Sequence, residues 1–295
     1  MRAALAMTVL TVAASTAFAQ LGTFDKEKRM AITHKWTGER AEDGRPLVPD
    51  DVLKRLKTAT AEEAWGVLRG EGYHYQFEGN WQVVNPGEER LVGRVVTAQF
   101  MPIRPDMNEF INKMGAEEGR VSRGQNSWVI DILKPGDILV VDMFGKIKDG
   151  TFAGDNLATA IYTKSKNGLI VNGSVRDVSG IQEIKGFRAY VKGVDPSAIK
   201  DVMLVGINVP IRIGETTILP GDVAVSDPEG ITFIPPHLAD KVATASENIQ
   251  LRDKWGHQML REGKYTPGQI DTKWSDEMNK EFEAWAAAEK AKRRN

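Results

Sequence analysis

The stretch that most constrains this chain is a strand–helix–strand pattern between Lys134 and Asp177. "KPGDILVVDMFG" is a Pro-Gly turn feeding an apolar run. "GDNLATAIYTKSKNG" places Leu157, Ala158 and Ile161 on one helical face. "GLIVNG" is a second apolar run that closes in a glycine turn. Strands with interleaved helices predict an α/β domain.

The pattern continues on both sides. "RLVGRVVTAQF" predicts a strand, and "MPIRPDMNEFINKMG" a loop and then a helix. Val52, Leu53 and Leu56 have helical spacing. Thr60 with Glu63 makes a capping box for the next helix, which Gly70 and Gly72 stop. "FRAYVKG" predicts another strand, and "LPGDVAVSDPEGITFIPP" a hairpin. Pro135-Gly136-Asp137 and Pro220-Gly221-Asp222 echo each other as turn devices, since Pro and Gly suit the two central turn positions. From Leu238 the chain is predicted helical to its end. Trp255, Trp274 and Trp285 stand in that polar tail, which predicts packing on the body or on another subunit. The basic end "EKAKRRN" reads as a solvated helix terminus.

Composition excludes several function classes. A formal net charge of −1 gives no bulk electrostatic case for nucleic acid or an anionic membrane. The chain has no cysteine, which removes disulfides, zinc–thiolate sites and a Cys nucleophile. His34, His74, His237 and His257 are scattered without metal-ligand spacing. No G-x-S-x-G elbow, Walker A loop or G-x-G-x-x-G loop occurs.

The start, "MRAALAMTVLTVAASTAFAQ", has Arg2, an apolar stretch and Ala17-Phe18-Ala19, the form of a secretory leader cleaved after Ala19. The apolar run falls short of the roughly 20 residues a membrane span needs, so no anchor is expected after cleavage. The expected location is the periplasm or the medium. The expected organisation is a leader at 1–19, an arm at 20–46, the α/β domain at 47–245 and a helical extension at 246–295.

Two segments carry candidate chemistry. Gly154 and Asp155 open a helix, whose free N–H groups and positive dipole end suit a carboxylate or phosphate. From these residues alone Asp155 reads first as a plain N-cap. Arg176 and Asp177 lie just past a strand end, where both side chains can face one pocket. Asp177 offers a hard oxygen for Mg²⁺ or Mn²⁺, and Arg176 a planar fork for a carboxylate. An ordinary loop ion pair is the alternative.

"PGDILVVD" (135–142), "GDNLA" (154–158), "GLIVNGSVRD" (168–177), "INVPIRIGE" (207–215) and "LPGDVAVSDPEGITFIPP" (219–236) together resemble the RraA-like family. That family includes class II pyruvate aldolases acting on 4-hydroxy-4-methyl-2-oxoglutarate. The resemblance runs from about Val48 to about Ala245. It implies a swivelling β/β/α domain, here with an extra N-terminal arm and C-terminal helices, assembled as a homotrimer or homohexamer. It implies that Asp177 holds Mg²⁺ or Mn²⁺ with waters completing the shell. It implies that Arg176 binds a 2-oxo acid and steadies its enolate. Gly154, Asp155, Asn156 and Leu157 match the helix start that receives the pyruvyl carboxylate, and Asp155 the acid that orients a water of the metal shell. The implied activities are retro-aldol cleavage releasing pyruvate and decarboxylation of oxaloacetate. The RNA-degradation regulator of the family has a different residue in place of Asp177, so keeping it favours a catalyst. A non-catalytic binding or scaffold protein of the periplasm is the alternative. Asp142-Met143-Phe144-Gly145 departs from the family's Gly-rich loop and is expected to reshape the pocket wall.

Overall fold

The computed structural model describes residues 24–87, 90–120 and 124–292; the leader expected at 1–19 lies outside the described residues. In chain order the elements are α1 (Lys26–Ile32), α2 (Asp50–Leu56), α3 (Ala61–Gly70), β1 (Phe77–Gly79), β2 (Gln82–Val84) and β3 (Val92–Pro102). Then come α4 (Pro105–Glu117), α5 (Gln125–Asp131), β4 (Asp137–Ala153), α6 (Asp155–Ser165), β5 (Leu169–Val175), α7 (Val178–Gln182) and β6 (Ala189–Val194). The chain continues through β7 (Val202–Ile207), β8 (Ile211–Ile213), β9 (Thr216–Ile218), β10 (Val223–Ser226) and β11 (Gly230–Ile234). It closes with α8 (Ala239–Arg261), α9 (Pro267–Ile270) and α10 (Asp276–Lys292).

Strands β3, β4, β5 and β6 run parallel in that order, as the strand–helix–strand pattern requires. Antiparallel strands extend them into a nine-stranded sheet, with β10, β11 and β1 beyond β3 and β2 beyond β6. The alternation of side chains builds three layers. Val96, Leu139, Val141, Leu169 and Val171 point to the face that also gathers Ile111, Trp128, Ala158, Ile161 and Ile181 of the helices. Their neighbours Val95, Ile138, Val140 and Ile170 point the other way, onto Ile211, Ile213 and Ile218 of the β8–β9 hairpin. The result is the expected α/β fold with a β/β/α arrangement.

The local expectations recur in detail. Thr60 and Glu63 form a complete capping box on α3. The two Pro-Gly-Asp turns are twins: Lys134 N donates to Asp137 Oδ2 at 2.9 Å and Leu219 N to Asp222 Oδ2 at 2.8 Å. Gly136 and Gly221 have φ of 84° and 89°, where a Cβ would be strained. They differ in what else the carboxylate meets. Asp137 faces Arg45 at 3.2 Å, both buried. That contact docks the N-terminal arm onto the start of β4. Burial would lower the Arg45 pKa, but Asp137 and Asp43 outweigh it and hold it above its usual value.

A third core on α2, α3, β10 and β11 takes Ala239, Val242 and Ala243 from the start of α8. The far end of α8 serves a fourth: Trp255 and Met259 pack with Trp274, Met278 and Phe282 of the segment that follows. Arg252 lies 3.6 Å over the Trp274 ring. The tryptophans therefore cover one another within the tail, rather than the body. Residue 245 falls inside the unbroken α8. Among the described residues no helix is long and apolar enough to cross a membrane.

Candidate functional site

β5 ends at Val175, and the next two residues are Arg176 and Asp177. Arg176 N donates to Ala153 O at 3.1 Å, so the β5 exit is tied to the β4 exit. Asp177 then adopts a left-handed conformation (φ 53°, ψ 42°) at the start of α7. Asp is among the residues that tolerate this region. The turn reverses the strand's alternation and places both side chains on one side. Their charged ends are 3.3 Å apart, Arg176 Nε to Asp177 Oδ2, with side chains 42% and 49% exposed.

The β4 exit leads directly into α6. Gly154 is its N-cap, and no side chain caps the helix. Asp155 is therefore the first helical residue and not the cap. Its Oδ1 accepts from Asn156 N at 2.7 Å, which uses one of the free N–H groups of the first turn. Asn156 is exposed, and Leu157 is half-buried against the main core.

Two glycines bring these segments together. A Cβ on Gly154 would stand 2.4 Å from Asp177 Oδ2 and 3.2 Å from Arg176 Nε. A Cβ on Gly180, in α7, would stand 2.8 Å from Asp155 Oδ2. Gly154, Asp155, Arg176 and Asp177 thus converge at the carboxyl ends of β4 and β5, where ligands bind on open α/β sheets. No terminal N–H of the Arg176 guanidinium donates to a described residue. A planar fork and a carboxylate are both open to a ligand there.

A polar cluster beside this turn escaped the sequence reading. Asp142 accepts from Gln99 Nε2 and Asn172 Nδ2, each at 2.8 Å, and from Phe144 N at 2.9 Å. It joins β3, β4 and β5 at one level. Beyond Asp142 the β4–β5 register slips twice: across residues 143–150 only Lys146 pairs, with Gly173, before pairing resumes at Thr151. Met143 is fully buried in the main core, so it is no wall residue. Phe144, at φ 45°, is exposed. The signal for this excursion is "FGKIKDG", with two glycines and an Asp in a segment otherwise predicted to end at Gly145.

Known proteins match this chain in sequence and in fold. Over 150 residues it is 27% identical to the 4-hydroxy-4-methyl-2-oxoglutarate aldolase of Thermus thermophilus, spanning 50% of this chain and 78% of that protein. Over 156 residues it is 31% identical to a Halalkalibacterium halodurans protein named "Putative 4-hydroxy-4-methyl-2-oxoglutarate aldolase", spanning 52% and 73%. Its fold is similar to that of Streptomyces coelicolor RraAS2, an unusual member of the RNase ES inhibitor RraA protein family. The TM-score is 0.62 at 22% identity, covering 72% of this chain and 99% of that one. An uncharacterized protein of Pseudomonas syringae pv. tomato gives 0.62 at 20% identity, covering 77% and 100%. The family model described as Aldolase/RraA matches residues 58–233, which take in every residue of the site above, and the chain belongs to the RraA-like family.

Proposed function

We propose that this chain is a divalent-metal-dependent carbon–carbon lyase acting on a 2-oxo acid. The reaction is retro-aldol cleavage of a 4-hydroxy-2-oxo acid to pyruvate, decarboxylation of oxaloacetate, or both, through a common enolate. The observation that carries this reading is the seating of the Arg176–Asp177 pair on Gly154, at the open start of α6. The similarity to proteins named as aldolases supports it.

Asp177 would hold the cation, Mg²⁺ or Mn²⁺. Mg²⁺ is typically bound through one or two carboxylates and keeps several waters. Among the described residues no three His, Asp or Glu side chains gather into a ligand set; the half-exposed Asp177 carboxylate suits an ion that keeps most of its waters. When bound, the ion supplies Lewis-acid polarisation of the keto oxygen. Arg176 offers its free N–H groups to the substrate carboxylate and to the oxygen on which enolate charge builds. The first turn of α6 adds backbone N–H groups and its positive dipole end. Asp155 orients a water that receives the 4-hydroxyl proton of an aldol substrate. The C3–C4 bond then breaks, its electron pair enters the enolate, and protonation at C3 gives pyruvate. Decarboxylation breaks a C–CO₂ bond to the same enolate and uses no such base.

The proposal extends to place and assembly. Residues 1–19 direct export, and a neighbouring copy in a trimer or hexamer covers the open face of the site. N-terminal sequencing of the exported protein should begin at Gln20, and light scattering should give three or six chains.

A panel of 2-oxo acids with Mg²⁺ or Mn²⁺, read by coupled pyruvate detection, tests the activity. Asp177→Ala should abolish metal-dependent turnover while circular dichroism stays that of the parent. Undiminished turnover in that variant sinks the proposal.

A further inference from the structure

A cleft of about 340 Å³ lies where the end of α1 meets the β9–β10 turn and the segment after β11. It is near the amino ends of β3 and β4, since Val95 N donates to Asp222 O, and so at the opposite end of the strands from Arg176. Its walls are apolar: Ile32, Leu219, Pro235 and Pro236.

Its polar groups fall into two kinds. One is a linked set of basic and phenolic groups. Lys35 Nζ donates to Tyr73 Oη at 3.4 Å, and Tyr73 Oη lies 3.3 Å from His237 Nε2. His34 lines the cleft beside them. Among the described residues no carboxylate is ion-paired to Lys35, His34 or His237. The acid whose charge acts on His237 is Glu71, which is paired with Lys241. Burial first, then the like charges of Lys35 and His34, hold the His237 pKa below its usual value. Lys35 is thus a cation without a counter-ion among the described residues, set beside the imidazoles of His34 and His237.

The other kind is a carboxyl. Asp222 lines the cleft at 2% exposure. Its Oδ2 accepts from Leu219 N, and its Oδ1 has no partner among the described residues. Burial pushes its pKa up to about 8, and no charged neighbour is among the causes. At neutral pH it is an acid with a proton to donate. Its twin Asp137 spends the equivalent oxygens on Arg45, whereas Asp222 leaves one facing the cleft.

We propose that this cleft is a second binding site, for a small organic acid. The ligand's carboxylate meets Lys35, His34 and His237, its aliphatic body lies between Ile32, Leu219 and the two prolines, and a carbonyl or hydroxyl oxygen accepts from Asp222. The unpaired Lys35 ammonium beside two imidazoles calls for the anion, the apolar walls for the body, and the buried Asp222 carboxyl for an oxygen of the ligand. The arm that supplies Ile32, His34 and Lys35 precedes the matched family region, so the site belongs to this chain's own architecture.

The test is calorimetric titration of the full chain at neutral pH with 4-methyl-2-oxopentanoate, and separately with inorganic phosphate, alongside NMR of the histidine ring protons. The oxo acid should bind and move the His34 and His237 signals. Lys35→Met, at an exposed position that cannot upset the fold, should weaken binding by about tenfold, the worth of one charge-assisted hydrogen bond. Asp177→Asn should leave this binding within about twofold, which separates it from the proposed catalytic site. Binding lost in Asp177→Asn, binding unchanged in both Lys35→Met and His237→Gln, or phosphate binding without oxo-acid binding would each overturn the proposal.

Discussion

Asp177 Oδ2 occupies the space a side chain on Gly154 would need, 2.4 Å from where its Cβ would stand. Gly154 itself sits at φ −103°, an angle open to any residue, so it is required for space and not for backbone freedom. Gly154→Ala should leave the fold intact, because the half-exposed carboxylate can swing away at small cost. The displaced carboxylate should cost about 100-fold in turnover, typical for a misplaced catalytic group. Steady-state kinetics beside a melting curve decides it; full activity would show that Asp177 need not lie there.

Arg45 and Asp137 are buried at 4% and 2% exposure and lie 92 residues apart in the chain. Arg45→Met strands a buried carboxylate and should cost about 3–5 kcal/mol. Arg45→Met with Asp137→Asn should recover part of that loss. Urea unfolding of the single and double variants measures both, and a single-variant cost below about 1 kcal/mol would show that the arm is not held by this pair.

Asp222 makes stability depend on pH in an unusual direction. Its folded pKa, about 8, lies above the ordinary carboxyl value of about 3.9. Its contribution is complete below about pH 4 and is lost as pH rises through about 8. Asp222→Asn keeps an acceptor for Leu219 N and cannot ionise. The melting temperature of the parent should therefore fall relative to this variant between about pH 5 and pH 8.5. Parallel curves for the two proteins would contradict the assignment.

Trp255 is 1% exposed, with Trp274 at 4.7 Å between ring centroids and Phe282 at 5.9 Å. Trp255→Ala should cost the tail core about 3–5 kcal/mol. Hydrogen exchange should rise across α9 and α10 and stay low in β3, β4 and β5. Equal loosening of the sheet would mean that the two parts unfold as one.

What could be read in the chain was local. Helical spacing placed α2 and α6, turn chemistry placed the Pro-Gly-Asp pair, and residue types at a strand end singled out Arg176 and Asp177. What could not be read depends on register or on distant partners. The Gln99–Asp142–Asn172 cluster exists only because three strands align at one level. The 143–150 excursion closes so tightly that a Cβ on Gly150 would stand 1.9 Å from Lys146 O, a fit no propensity reports. Apolarity marked the tail tryptophans, but their cover lay across α8 and α10, where periodicity does not reach. The helix α5, with the fully buried Trp128, was too short to stand out.

One helix, α8, is rooted in the body at Val242 and carries the aromatic tail core at Trp255. At 1.5 Å per residue these points are about 20 Å apart on a rigid rod. The tail is therefore an outrigger with a fixed bearing, set by the phase of the helix. A single residue inserted between them would swing the aromatic box about 100° around the rod and leave both cores intact. Whatever the outrigger meets is chosen by that angle as much as by its surface.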